Sequence, residues 1–469
     1  MRRGSREMEQ AGRTIERALA EFVTGFGSEH LDADARRDLA NLMIDQIGIQ
    51  IGASQLPWSR QVREFRRPRP GKATIVGEDF AADATDAAYL NATYGHGFEF
   101  DDFNGNAHPG CCVIPVAIAL GETLGASLEE VLVAMAAGYE VYVRIGYLCS
   151  PALLNAGWQP HAVLANFGAA AVAAKLRGLD VEQTHHALAI ALSHCGGTTE
   201  YASTGGSIKR VHAGIAVRNG IEAVDLARAG MTGPRRFLSG DRGFYRMFVH
   251  QQTGDEAAAT FDLDQPLQLR QLKFKPYCCC AATHGYIELM NRIRPRAAEV
   301  VRVDAAIQAM TDAIVGNRNA HIHQPRNIEE LQYSLPVQMA LAALGKGNGY
   351  LAHRAYLDGA LDIGPDSDVI AFARKITLTV SDDLVARYPR TFVAEATVTY
   401  GDGTSEHLFL DRIKGTPDNP FTREEARRKY DELTVDMLGA ARSAALYDLI
   451  DRPDPALPIT GLAALLRPA

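Results

Sequence analysis

The chain has no surplus of positive charge. Its 48 Lys and Arg stand against 56 Asp and Glu, a net charge of −8. That balance speaks against a nucleic-acid partner, which needs a basic face. An anionic ligand would therefore need a local cluster of cations, because the overall field does not attract it. The seven Cys offer no pair at the two-residue spacing of a zinc knuckle; they include the runs Cys111-Cys112 and Cys278-Cys279-Cys280. Reduced thiols in a cytoplasmic protein explain them most simply. No apolar run reaches the ~20 residues that cross a bilayer, so no membrane partner is expected. Residues 1–10 are polar and charged and read as a frayed start rather than a signal peptide. Internal repeats and low-complexity tracts are also missing.

What is present is an ordinary globular composition, 47% hydrophobic and 22% charged over 469 residues. At roughly 100–200 residues per domain, that length suggests two to three domains with a large core. Ile15, Leu19, Phe22 and Val23 share one helical face, as do Leu39, Leu42, Met43 and Ile47. Ser127 with Glu130, and Asp180 with Gln183, are spaced as capping boxes. Residues 162–176 are Ala-rich with few charges, which suits a helix buried on most sides. Residues 214–229 read as another buried helix, ended near Gly230. The pattern changes near residue 265. Residues 267–275 alternate like a strand with a slip. Helices are expected at 282–293 and 336–344. Ile376, Leu378 and Val380 alternate, as do Ala394, Ala396, Val398 and Tyr400. Gly401-Asp402-Gly403 then looks like a hairpin turn, with a return strand near 406–410. Helices at 422–433 and 435–449 close the chain. The fold class expected is mostly α. A large all-α helical domain is built from both chain ends (residues 1–267 and 409–469), with a smaller α+β lid domain, 268–408, inserted.

Four polar stretches lie between apolar helices. Gly95-His96-Gly97-Phe98-Glu99-Phe100-Asp101-Asp102-Phe103 runs on to His108-Pro109 and gathers three carboxylates and two His. Such groups suit proton transfer because neighbours tune their pKa values; they equally suit a solvated loop that caps helices. Gly157-Trp158-Gln159-Pro160-His161 precedes the Ala-rich helix, where His161 could be a site residue or a cap. Gly205-Gly206-Ser207-Ile208-Lys209-Arg210-Val211-His212 sets glycines and basic side chains at a helix start, a pattern that can cradle a carboxylate. Lys273-Phe274-Lys275-Pro276-Tyr277 leads into the Cys run at the seam of the two proposed domains, and seams often hold ligands. The Cys run itself suits small packing residues or a thiol activated by nearby Lys.

Together these stretches resemble the MmgE/PrpD family, whose members include 2-methylcitrate dehydratase, cis-aconitate decarboxylase and iminodisuccinate epimerase. The likeness spans about residues 15–450. It includes Ala137-Gly138-Tyr139-Glu140-Val141, Phe167-Gly168-Ala169-Ala170, Ala229-Gly230-Met231-Thr232-Gly233-Pro234 and Lys414-Gly415-Thr416-Pro417-Asp418-Asn419-Pro420. The resemblance implies a homodimer, no metal or organic cofactor, and a lyase or isomerase site between two domains that takes a small anionic carboxylic acid. It implies His108 as proton donor or acceptor, Lys209 and Lys275 facing carboxylates, and Glu99 where decarboxylase-like members carry Asp. With Asp102 these are the expected catalytic residues; Gln159, His161, Arg210, His212, Tyr277 and Cys280 are the expected substrate contacts. Phe103 stands where Thr is usual, Gln159 and Cys280 where His is usual, and Val337 where Tyr is usual. The reaction expected first is a dehydration through a carbanion beside a carboxylate. Decarboxylation, epimerisation or binding without catalysis are the alternatives.

Overall fold

The computed structural model describes residues 13–104, 108–386 and 393–468. The frayed start expected over residues 1–10, and Gly105, Asn106 and Ala107 of the polar loop, lie outside the described residues. Helices dominate. Both expected capping boxes are formed: Ser127 and Glu130 open the helix Leu128–Cys149, and Asp180 and Gln183 open Val181–Leu192.

The core is a stack of close-packed helices. The Ala-rich helix Pro160–Leu176 lies between Leu128–Cys149 and Lys209–Arg228. Small residues permit the approach. A Cβ on Gly138 would stand 2.4 Å from Val172, and one on Gly220 2.6 Å from Ala169. The helix Leu128–Cys149 is long and apolar enough to cross a membrane by composition, which the reading of apolar runs did not register. It is nonetheless mostly buried within the protein, and its Glu140–Arg144 pair lies in the core, so its apolar faces are already used. The late helix Arg423–Leu438 returns to pack on Ala33–Ala53, where Gly48 and Gly52 admit Tyr430 and Leu433.

Strands β1 (Pro70–Thr74) and β2 (Ala81–Ala82) form a small antiparallel pair. The main sheet contains β3 (Val300–Ile307), β4 (Ile376–Val380), β5 (Ala394–Tyr400) and β6 (Ser405–Leu410) in the order β4-β3-β5-β6. Only β3 and β4 run parallel. The periodicity reading found every strand of this sheet except its centre, β3. The helix His284–Ile293 covers the sheet, with Gly285 against Ala394 and the Tyr286 hydroxyl donating to Ala306 O.

The strand expected over 267–275 is not formed. Gln268–Gln271 is a 3₁₀ turn, and Lys273 makes only an isolated bridge to Phe103. No neighbouring strand offers it an edge; instead the Glu140 carboxylate accepts the Leu269 N–H at 2.8 Å. The helix expected from 214 starts five residues earlier, at Lys209, which moves Lys209 and Arg210 from a loop into a first helical turn. The final helices break at Gly439, where φ is +76°.

Candidate active site

The site is organised by the loop that follows the helix Ala84–His96. Its backbone carbonyls lie outside regular structure, and buried carbonyls must find donors. Side chains from distant segments supply them. Arg210 donates to Gly97 O, and Gln332 and Cys278 both donate to Phe98 O at 2.9 Å. Lys275 donates to Glu99 O at 3.1 Å, Lys429 to Phe100 O at 2.9 Å, and the Lys273 N–H to Phe103 O at 2.8 Å. The loop is thus tied to helices and turns that lie up to 329 residues away.

Glu99 stands at the centre. Its φ of +59° is a left-handed conformation that a side-chain-bearing residue seldom adopts, and such conformations concentrate at functional sites. The carboxylate pairs with Lys275 at 3.0 Å and with Lys209, and accepts the Tyr333 hydroxyl at 2.9 Å. All four side chains are buried. Burial, then the nearby charge of Lys275, pushes the Lys209 ammonium well below the usual lysine range. Both lysines already have a carboxylate partner in Glu99, with Asp101 close to Lys275. Glu99 thus answers, from within the protein, the lysines expected to face the substrate's carboxylates.

His108 lines the same crevice, a cavity of about 90 Å³ that it shares with Glu99, Lys209, Lys275, Gln159 and Cys280. Its Nδ1 lies 3.1 Å from Asp102 O and 3.6 Å from an Asp101 oxygen. A carbonyl can only accept, so Nδ1 carries the proton and Nε2 the lone pair. Burial and Lys275 lower the imidazole pKa to about 4 despite Asp101. The ring is thus neutral at neutral pH, with a basic nitrogen.

A second layer supports this ring. Asp101, fully buried, also accepts His96 Nδ1 at 2.8 Å. Burial opposes its ionisation, but His108, His96 and Lys275 hold its carboxyl well below the usual range. The His108 N–H donates to the Tyr142 hydroxyl at 3.1 Å, which in turn lies 2.9 Å from His161 Nδ1. His161 Nε2 is 3.5 Å from Cys111 Sγ, and that thiol donates back to His108 O at 3.2 Å. A closed hydrogen-bond circuit thereby fixes the backbone of His108. His96, Cys111 and His161 also bring three ligand-type atoms within 4.8 Å of one another, the one group among the described residues that could hold a metal ion. His161 and Cys111 are committed to the circuit, and only His96 Nε2 lacks a hydrogen-bond partner.

The remaining expected site residues divide by position. Gln159 and Cys280 line the crevice. Gln159 spends its side-chain oxygen on capping the helix Pro160–Leu176, and burial raises the Cys280 thiol pKa, keeping it protonated. Asp102, His161, Arg210, His212 and Tyr277 are not among the crevice-lining residues. Asp102 accepts the Gly110 N–H; burial, then Asp101 and Asp45, raise its pKa well above the usual range. Arg210 is held by Glu329 at 2.7 Å and lies over the Trp58 ring at 3.5 Å. His212 sits beside Gly197 and Tyr201, with burial lowering its pKa to about 4. Tyr277 packs edge-on against His284. Sequence reasoning passed over Asp101, Tyr142, Tyr201 and Tyr333. The Asp101 carboxylate was visible inside the first polar stretch; Tyr142 sits in an apolar run and Tyr201 and Tyr333 in mixed ones, none with a spacing signal.

Comparison with known proteins agrees with this architecture. The MmgE/PrpD N-terminal domain model matches residues 17–256, and the MmgE/PrpD C-terminal domain model matches residues 277–451. The cis-aconitate decarboxylase-like protein oryM of Aspergillus oryzae is 24% identical over 96% of both chains. Cis-aconitate decarboxylase of Aspergillus terreus is 25% identical over 96% of this chain and 95% of its own. The Mus musculus cis-aconitate decarboxylase is 24% identical over 94% and 91%. Decarboxylases are lyases, and likeness along nearly the whole chain makes this protein an enzyme of that class. With matches to both domain models flanking the seam that joins Glu99, Lys209 and Lys275, the chain belongs to the MmgE/PrpD family.

Proposed function

We propose that the protein removes a small neutral group from a carboxylic acid through an enolate-like state at the carbon beside the carboxylate. The observation that carries this reading is the neutral His108, with its lone pair on Nε2, in one buried crevice with Lys209 and Lys275. His108 takes the proton from that carbon, and the electron pair moves into the adjoining carboxylate. Lys275 and Lys209 stabilise the developing charge from fixed positions in a water-poor site, where cations act more strongly than in bulk water. Glu99 and Tyr333 hold the lysines in place. The pair then returns to expel the hydroxyl on the next carbon, which leaves as water with the proton that His108 has taken up at Nε2. A base with no proton of its own to give at Nε2 favours this dehydration. The reading needs neither a metal nor an organic cofactor.

Decarboxylation is the second reading, supported by the names of the relatives. There the bond to a carboxylate breaks as CO₂ departs, and the same lysines meet the same enolate. Incubation of the purified protein with a panel of unsaturated and hydroxylated acids, read by product mass, distinguishes the two. Loss of water supports the first, loss of CO₂ the second. Solvent deuterium incorporation with no mass loss would instead identify an epimerase. No change in any acid would remove the lyase reading.

A further inference from the structure

The crevice at Glu99 is small. Its volume is about 90 Å³. The crevice does not end there. Leu154, Thr199, Ala202, Met310 and Ile314 line both it and an adjoining hollow of about 590 Å³. One wall of that hollow is apolar; Asn155, Thr199, Ser203, Gln308 and Arg318, the last paired with Asp312 at 3.4 Å, line the rest. Ala309, Met310, Ala313 and Ile314 fall on one face of the helix Ala309–Val315, and Pro151, Leu154 and Val385 also line it. Met310, Ala313 and Ile314 are only half-buried, so their side chains have apolar surface left to cover.

The polar end is restrictive in another way. The groups best suited to hold several carboxylates are Lys209, Lys275 and the Tyr333 hydroxyl, and all three are engaged by Glu99. Arg210 is engaged by Glu329. An acid with three carboxylates would bring its extra charges to cations that already have carboxylate partners, or set some of them against the apolar wall. Burying charge without a partner is costly.

We infer that the substrate is an amphiphilic acid: a compact carboxylate head that reacts beside Glu99 and His108, and an aliphatic substituent that leaves the crevice along the hollow beneath Ala309–Val315. This rests on the lyase reading above and specifies the substrate class of that site.

The test is affinity against chain length. Calorimetric titration of the intact protein would use maleate and succinate bearing alkyl chains of zero, two, four and six carbons, with cis-aconitate and citrate as polyanionic controls. Affinity should rise about threefold to fourfold per added CH₂, the factor expected from burying a methylene. The alkyl acids should also exceed the tricarboxylates by more than about tenfold, given the cost of like or unpaired charge at a buried contact. Ala313→Trp, which fills the hollow away from the Glu99 crevice, should abolish the length dependence while short acids still bind. Ala309→Glu, on an exposed position of the same helix face, should do the same if the bulky variant fails to fold. A flat or falling dependence on chain length would overturn the inference, as would tightest binding by a tricarboxylate, or an unchanged slope in both variants. In each of those cases the lyase reading survives, since acids still bind. Absence of binding and turnover with every acid would remove both.

Discussion

Lys275 and Lys429 make the same bonds to neighbouring carbonyls of one loop, yet they face different surroundings. Lys275 donates to Glu99 O and pairs with Glu99; Lys429 donates to Phe100 O and pairs with Asp45 at 2.6 Å. Both pairs are more than nine-tenths buried. Lys275 lines the crevice beside His108, whereas Lys429 lies 3.9 Å from the Phe100 ring centre and lines no part of that crevice. The chemistry of a buried ion pair is therefore not what marks a site. Asp45 and Lys429 line a cavity of their own, of about 430 Å³, so the mark is an ion pair beside a neutral base and a strained backbone. Away from those companions, the same pair holds the loop in place.

The largest expected effect belongs to the crevice side. His108→Ala should lower kcat/KM by about 10²–10⁴-fold, the usual contribution of a positioned acid or base, with the thermal midpoint little changed. Steady-state kinetics and a melting curve check it, and near-normal turnover would end the assignment.

The two lysines can then be compared directly. Lys429→Met leaves Asp45 buried and unpaired and should cost about 3–5 kcal/mol in urea unfolding, with most of it recovered in Lys429→Met/Asp45→Leu. Lys275→Met should lower kcat by about 10²–10³-fold, as loss of one fixed donor to a developing anion does. If the folded Lys429→Met protein loses turnover as severely as Lys275→Met, the division between the two faces is broken.

Acid should act through the buried imidazoles. His108 and His212 have folded pKa values of about 4 and His96 of about 3, against roughly 6.5 in an unfolded chain. Between those values the unfolded state binds protons that the folded state refuses. Stability should therefore fall as pH drops from about 6.5 towards 4, levelling off only below the folded values. The same displacement should move the acidic limb of kcat/KM well below 6.5. Unfolding curves at pH 7 and pH 5 test the first statement and a pH–rate profile the second; an acidic limb near 6.5 would contradict it.

The smallest effect should come from far outside both faces. Ser127→Ala removes the side-chain half of a capping box on the core helix Leu128–Cys149 and should cost about 1 kcal/mol of stability with no change in kcat.

Local chemistry was legible in advance. Capping boxes at Ser127 and Asp180, the helical faces of Ile15–Val23 and Leu39–Ile47, and the hairpin at Gly401 all depend on residues a few positions apart, and they formed where the spacing placed them. The segment 267–275 alternates as a strand does, but a strand needs an edge, and an edge is supplied by another part of the chain. Strand β3 escaped notice for a related reason: Val301 breaks its alternation, and pairing on both sides by β4 and β5 is what makes it a strand.

The sequence by itself determined the helical character, the small residues that let helices touch, the family, and the presence of His108, Glu99, Lys209 and Lys275. Only the tertiary structure decided which charges remain available. Arg210 is consumed by Glu329 and Trp58, His161 is turned into a hydrogen-bond circuit, Asp101 rather than Asp102 faces the imidazoles, and Tyr333 arrives from 234 residues beyond Glu99. The reason is physical. A side chain's proton, charge and reactivity depend on the partners and the solvent it meets, and in a buried site those partners come from segments that no local spacing brings together.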